Sequence, residues 1–248
     1  TVAHTRNDFR TGLILKKMQE YIGNGRLNKV RALCFCVDKE HARFMNAKFT
    51  LAGLRTDVLT SDDDNHHRAL VKKQLQAGTI NYLFVVDLFN EGVDIPEVDT
   101  ILFLRPTESA TVFLQQFGRG LRLHKGKDHL TVLDFVGHSR AEFSYKDRFE
   151  ALIGRHSRNI REEIEGGFTN APFGCKIVLE EKAKEEILAN IDGYLRSLNR
   201  SRIVKEIAAY HKVCNGSFSL KGFLAYSHIP FHKIYGSLTW GEMCQMAH

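Results

Sequence analysis

Apolar positions along this chain fall into two kinds of run, and the two kinds alternate. Residues 6–22 carry Phe9, Leu13, Ile14, Met18, Tyr21 and Ile22 at helical spacing, which predicts an amphipathic helix ended by Gly23-Asn24-Gly25. Residues 30–37 are instead almost continuously apolar, the pattern of a strand buried on both faces of a parallel sheet. Asp38 stands next as a cap for a helix whose apolar positions are Ala42, Phe44, Met45 and Phe49, with Gly53 beyond its end. The unit then recurs. A strand over 56–60 is followed by Ser61-Asp62-Asp63-Asp64, a cap and acidic first turn for a helix through Leu70, Val71 and Leu75. Strands are predicted over 80–86, 100–104 and 130–136, with a loop at 87–96 and a helix opened by Thr107 or Ser109 between them. Strand and helix alternating through short connections predict an α/β fold, a parallel sheet with helices on both faces. In such sheets ligands sit outside the carboxyl ends of the strands, where the 87–96 loop and the 107–109 helix both start.

Beyond this the pattern changes. Residues 140–165 read as helical and strongly charged, up to Gly166-Gly167. After them come helices over 181–198, with Ile187, Leu188, Ile191 and Leu195 apolar, and over 203–210 and 220–226, with shorter ones at 229–235 and 239–246. The sequence therefore divides into an α/β domain, 1–165, and a small all-α domain, 166–248.

Composition narrows the classes. The chain has 248 residues, 43% hydrophobic and 26% charged, enough for a substantial core. A formal charge of +6 is compatible with a polyanionic partner. There is no apolar run of the ~18 residues a membrane span needs, nor a signal-peptide pattern, so no membrane is expected as a partner. Five scattered cysteines and twelve histidines give no zinc spacing, so no metal site is expected, and an odd thiol count fits a reducing cytoplasm. Cys34 and Cys36 alternate within their run and should point the same way as buried thiols.

Chemistry enters at Gln115-Gln116-Phe117-Gly118-Arg119-Gly120-Leu121-Arg122. On a helix, Gln115, Arg119 and Arg122 fall at i, i+4 and i+7 and share a face, with Phe113, Leu114, Phe117 and Leu121 on the other. Two glycines inside a helix each cost about 1 kcal/mol, and one reason to keep them is close approach of a bulky anion. Two planar guanidinium groups on one face suit a polyphosphate. An amphipathic surface helix with solvated arginines is the competing reading. The loop 89–96 adds Gly92 and Asp94. An acid two residues after a glycine, behind a buried strand, can accept hydrogen bonds from a ribose that the glycine lets approach.

Taken together, these segments resemble the second motor lobe of superfamily 2 helicases and translocases. The 32–37 strand with Asp38 is similar to their motif IV, and Leu59-Thr60-Ser61 through Arg68 and Gln76-Ala77-Gly78 to the segment before motif V. Residues 86–96 are similar to motif V and residues 115–122 to motif VI, so the likeness covers about 30–137. The resemblance implies a RecA-like sheet. It also implies Arg119 and Arg122 as arginine fingers on the γ-phosphoryl, Gln115 as an orienting residue, and Gly92, Asp94 and Gly118 as ATP contacts. Asp38, Lys39, Thr60, Ser61, Asp87 and Asn90 would follow a nucleic-acid backbone. Val86 departs from the hydroxyl residue common before motif V. The motif VI glycine at 120 is closer to the restriction- and repair-related DNA branch than to the RNA branch.

No G-x-x-x-x-G-K-[ST] occurs, and Gly126-Lys127 is followed by Asp128 without the leading spacing. The expectation is half of an ATP site, inactive by itself. ATP and Mg²⁺ would be held mainly by an N-terminal motor lobe of the same polypeptide, upstream of Thr1. The tail resembles a helical domain of unknown function that follows such motors, and Arg196, Arg200, Arg202, Lys205 and Lys212 could meet phosphates. The alternative from another class is a non-catalytic nucleic-acid-binding or regulatory module that keeps the fold without the motor.

Overall fold

The computed structural model describes residues 6–86, 95–105, 110–122, 124–135, 145–153, 160–171, 173–196, 198–214, 218–227, 229, 231–235 and 239–247. They form two compact units, divided between residues 138 and 139. In the first, helix α1 (Asp8–Ile22) precedes strand β1 (Ala32–Phe35), α2 (Lys39–Leu51), β2 (Thr56–Leu59), α3 (Asn65–Ala77), β3 (Tyr82–Val85), β4 (Thr100–Phe103), α4 (Ala110–Gly120) and β5 (Thr131–Asp134). The strands make one parallel sheet in the order β2-β3-β1-β4-β5. Each ladder is four residues long, shorter than the apolar runs that announced it, because only the segment common to neighbouring strands is paired.

Alternation along the strands separates two cores. Ala32, Cys34, Cys36, Tyr82, Phe84, Leu102 and Leu104 face one way and pack with Ile14, Met18 and Ile22 of α1 and Ala42, Met45 and Phe49 of α2. On the other face Phe35 stacks on Phe103 and Phe103 meets Phe113 of α4, so helices cover both faces. Burial holds the Cys34 and Cys36 thiols well above their ordinary range. One expectation for α1 is corrected. Phe9 is 83% and Leu13 46% exposed, because the stripe 14, 18, 22 sits on the sheet and positions 9 and 13 lie on the far side of the helix.

Local signals set the ends. Asn7, Asp38 and Asp64 each accept a backbone N–H at the start of α1, α2 and α3. Gly78, with φ +77°, closes α3 in the left-handed region.

The second unit is helical among the described residues: α5 (Tyr145–Ile153), α6 (Ile160–Gly166), α7 (Glu181–Arg196), α8 (Arg200–Val213), α9 (Leu220–Ser227), α10 (Phe231–Ile234) and α11 (Trp240–Ala247). Both α5 and α6 pack against α7, which places the division upstream of the boundary at 165 suggested by the shift in composition. Buried Lys146 lies 3.2 Å from Glu150 one turn along α5. Ile203, Ile207 and Tyr210 of α8 form a second cluster with Phe223, Ile234 and Met243. Among the described residues no helix is long and apolar enough to cross a membrane.

Phe49 shows how much the sheet depends on its helices. Its fully buried ring meets Tyr82 and Phe84 edge-on, at centroid distances of 5.5 and 5.0 Å. Phe49→Ala is expected to cost about 3–5 kcal/mol, read as a lower denaturant midpoint at unchanged slope.

Candidate nucleotide and nucleic-acid site

At the carboxyl edge of the sheet, Asp38 follows β1 and its carboxylate accepts from the His41 backbone N–H at 2.7 Å. His41 is buried and its Nδ1 accepts from the Val37 N–H at 3.2 Å, so the neutral ring carries its proton on Nε2. Burial lowers its pKa to about 4, against the opposing influence of Asp38. Lys39 reaches across to Asp62 in the loop after β2, 2.5 Å away, and this hydrogen bond holds Asp62 below the usual carboxylate range. Thr60 is buried, and both its amide and its hydroxyl donate to Asp63 Oδ2 at 2.6 and 3.0 Å. Ser61 is exposed, with its carbonyl accepting from Arg68 at 3.1 Å. Asp38, Lys39, Thr60 and Ser61 therefore share one edge, tied by the Lys39–Asp62 pair. Asp87, Asn90, Gly92 and Asp94 lie outside the described residues.

Helix α4 follows β4 and runs back along the sheet. Its 11 residues span about 16 Å, enough to cross a four-residue strand of about 13 Å. Phe113, Gln116 and Gly120 form its inner side. A Cβ at Gly120 would stand 2.5 Å from Leu130 Cδ1 and 3.0 Å from Ile101 Cδ1. This close contact corrects the expected apolar face. Leu114 and Leu121 are 38% and 56% exposed, because Gly120 must face the sheet and rotates them outward.

The two glycines thus have different reasons. Gly120 is there for packing, whereas nothing among the described residues lies within 4 Å of a Cβ at Gly118. Gln115 is exposed, four residues from Arg119, whose side chain lies outside the described residues. The helix ends at Gly120, so exposed Arg122 stands just past it and not on a continuous helical face with them.

That end of α4 lies at the amino edge. Asp99, just before β4, accepts from the Arg31 amide just before β1 at 3.0 Å. Lys127 Nζ donates to the carbonyls of Gly120, of Arg122 at 2.9 Å and of Pro96 at 3.3 Å. Glu97 accepts from Gln76 at 3.3 Å and lies 3.9 Å from His124. The rule for parallel sheets places ligands outside the carboxyl ends of the strands, where the 87–96 segment and α4 start. Arg122 and Pro96 meet through Lys127 at the opposite edge, because α4 returns there to feed β5. His41, Glu97 and Lys127 carry no functional signature in the sequence pattern. Gly126-Lys127 registered only as a failed phosphate loop, since partners that are backbone carbonyls have no signature in side-chain pattern.

Residues 14–124 match the family described as the helicase conserved C-terminal domain. The putative ATP-dependent helicase IRC3 of Saccharomyces cerevisiae is 40% identical over 107 residues, 43% of this chain and 16% of that protein. UvrABC system protein B of Kosmotoga olearia is 30% identical over 156 residues, 61% of this chain and 22% of that protein. The chain thus aligns to less than a quarter of the length of these relatives. The yeast DEAD-box splicing factor Prp28 shares the fold, with a TM-score of 0.51 at 15% identity, over 73% of this chain and 35% of that one.

Two outcomes test this geometry. Gly118→Ala should leave the fold intact or stabilise it by up to about 1 kcal/mol, while Gly120→Ala should cost about 1–3 kcal/mol, both read from chemical denaturation. The His41 effect has a definite sign. Its folded pKa of about 4 lies below the ordinary 6.5, so the unfolded chain takes up the proton first as pH falls. The stabilising contribution is complete above about pH 6.5 and is lost between there and about pH 4. His41→Asn, which can still accept from Val37, should flatten stability against pH in that window.

Proposed function

We propose that this chain, whose residues 14–124 belong to the helicase C-terminal domain family, is the second motor lobe of an ATP-dependent helicase or translocase acting on DNA. The observation that carries the reading is Arg122, exposed just past the end of α4, its carbonyl joined through Lys127 to the carbonyl of Pro96. The open side of Gly118 and exposed Gln115 are the surface on which a polyphosphate fits. DNA is favoured by the spacing of the glycine at 120, and a reducing compartment by the free thiols.

The reading assigns work to this chain's residues. Arg122 and Arg119 meet negative charge that grows on the transferring phosphoryl group, where a permanent, planar cation is worth most. Gln115 orients the site, and Gly118 keeps side-chain bulk away from it. Bound Mg·ATP supplies the phosphoanhydride whose cleavage drives the motor, and its phosphate loop belongs to a partner lobe of the same polypeptide. At the other edge Lys39 and Ser61 meet the nucleic-acid backbone, with Asp38 and Thr60 fixing their loops. Within the helical unit the exposed basic residues Arg196, Arg200, Lys205 and Lys212 offer phosphate contacts of their own.

The test is steady-state ATP turnover of the protein carrying both lobes, with nucleic acid present. Arg122→Ala should lower turnover roughly 10³-fold, with little change in melting or in ATP affinity. Arg122→Lys should rescue poorly, since a point charge lacks the two-pronged fork. The 248-residue chain alone should show no turnover. Wild-type turnover in Arg122→Ala would replace this reading by the non-catalytic module.

A further inference from the structure

We infer that Lys127 is a positioning residue for this reaction, an ammonium clamp that fixes the exit of α4 to the run 95–97 so that Arg122 is presented at one place. The inference rests on the reading just proposed. An ammonium has three N–H groups and no acceptor, and Lys127 gives them to three carbonyls: those of Gly120, Arg122 and Pro96. Two belong to the end of the arginine helix and one to a segment 24 residues earlier than Gly120, so a single group closes a loop of chain. The last carbonyls of a helix have no partner within it and carry the negative end of its dipole, which makes a cation the natural cap.

Half-burial lowers the Lys127 pKa while Asp99 raises it, and no carboxylate takes part in the clamp itself. The charge is therefore spent on backbone, which fixes chain geometry, and not on a side chain that can swing. Glu97 holds the neighbouring residue from the other side, through Gln76 of α3 and His124. Residues 96–97 are thus pinned between α3 and the turn after α4. The bond from Lys127 to the Arg122 carbonyl adds a constraint on the backbone just beyond the helix end. A misplacement of about 1 Å in such a group costs up to about 10²-fold in rate.

The protein carrying both lobes is assayed as Lys127→Met, which keeps the stem and loses the donors, and as Lys127→Arg, which keeps charge and donors. In Lys127→Met, kcat should fall roughly 10- to 100-fold per folded molecule while KM for ATP moves much less, and Lys127→Arg should recover most of it. Hydrogen exchange should show faster exchange at the Leu121 and Arg122 amides in Lys127→Met and near-normal exchange in Lys127→Arg. A merely structural lysine would lower melting and the folded fraction without moving kcat per folded molecule. Wild-type kcat in Lys127→Met alongside a dead Arg122→Ala would overturn the clamp and leave the motor reading standing. Wild-type kcat in Arg122→Ala would overturn both. Should Lys127→Met not fold, Lys127→Gln, with two donors and no charge, takes its place with the same expectations.

Discussion

Between Ile101, Leu130 and the backbone of residue 120 there is no room for a side chain, and much of the first unit follows from that. A helix seated this closely has one permitted rotation about its axis. Phe113 and Gln116 are turned inward, Gln115 and Gly118 outward, and the helix stops where its glycine meets the sheet. Everything placed after it inherits that position, including Arg122 and the carbonyls that Lys127 gathers.

The sheet then separates two kinds of surface. Loops after β1 and β2, joined by Lys39 and Asp62, occupy one edge, and the end of α4 with residues 95–99 occupies the other. Four-residue parallel strands, buried on both faces in the centre of the sheet, form a stiff plate between them.

Much of this was legible in the chain. Continuous apolar runs marked β1, β3 and β4 because strands buried on both faces have no polar side to reveal, and Asp38 announced a helix start through chemistry confined to four residues. The run Ser61–Asp64, read as a cap and acidic first turn, instead precedes its helix, with Asp64 as the cap and no acid in the first turn. What pattern could not give was whatever depends on neighbours distant in sequence. Insertion of β3 between β1 and β2 is a tertiary fact. So is the inner face of α4, since a buried glycine contributes no hydrophobicity and Gln116 reads as polar. Lys127 stands out in the sequence only as part of Gly126-Lys127, because its partners are main-chain oxygens, which every residue has.

The cysteines carry a further consequence. Cys34 and Cys36 lie in the centre of the sheet with no exposed surface, and burial keeps them protonated and so poor nucleophiles, whereas Cys175 is exposed and Cys214 and Cys244 are partly so. A thiol-specific reagent therefore meets two populations on one polypeptide. The helical unit is labelled at the rate of diffusion and local breathing, and the sheet only when the first unit opens globally. The molecule carries its own unfolding clock, with the outer thiols as its internal standard.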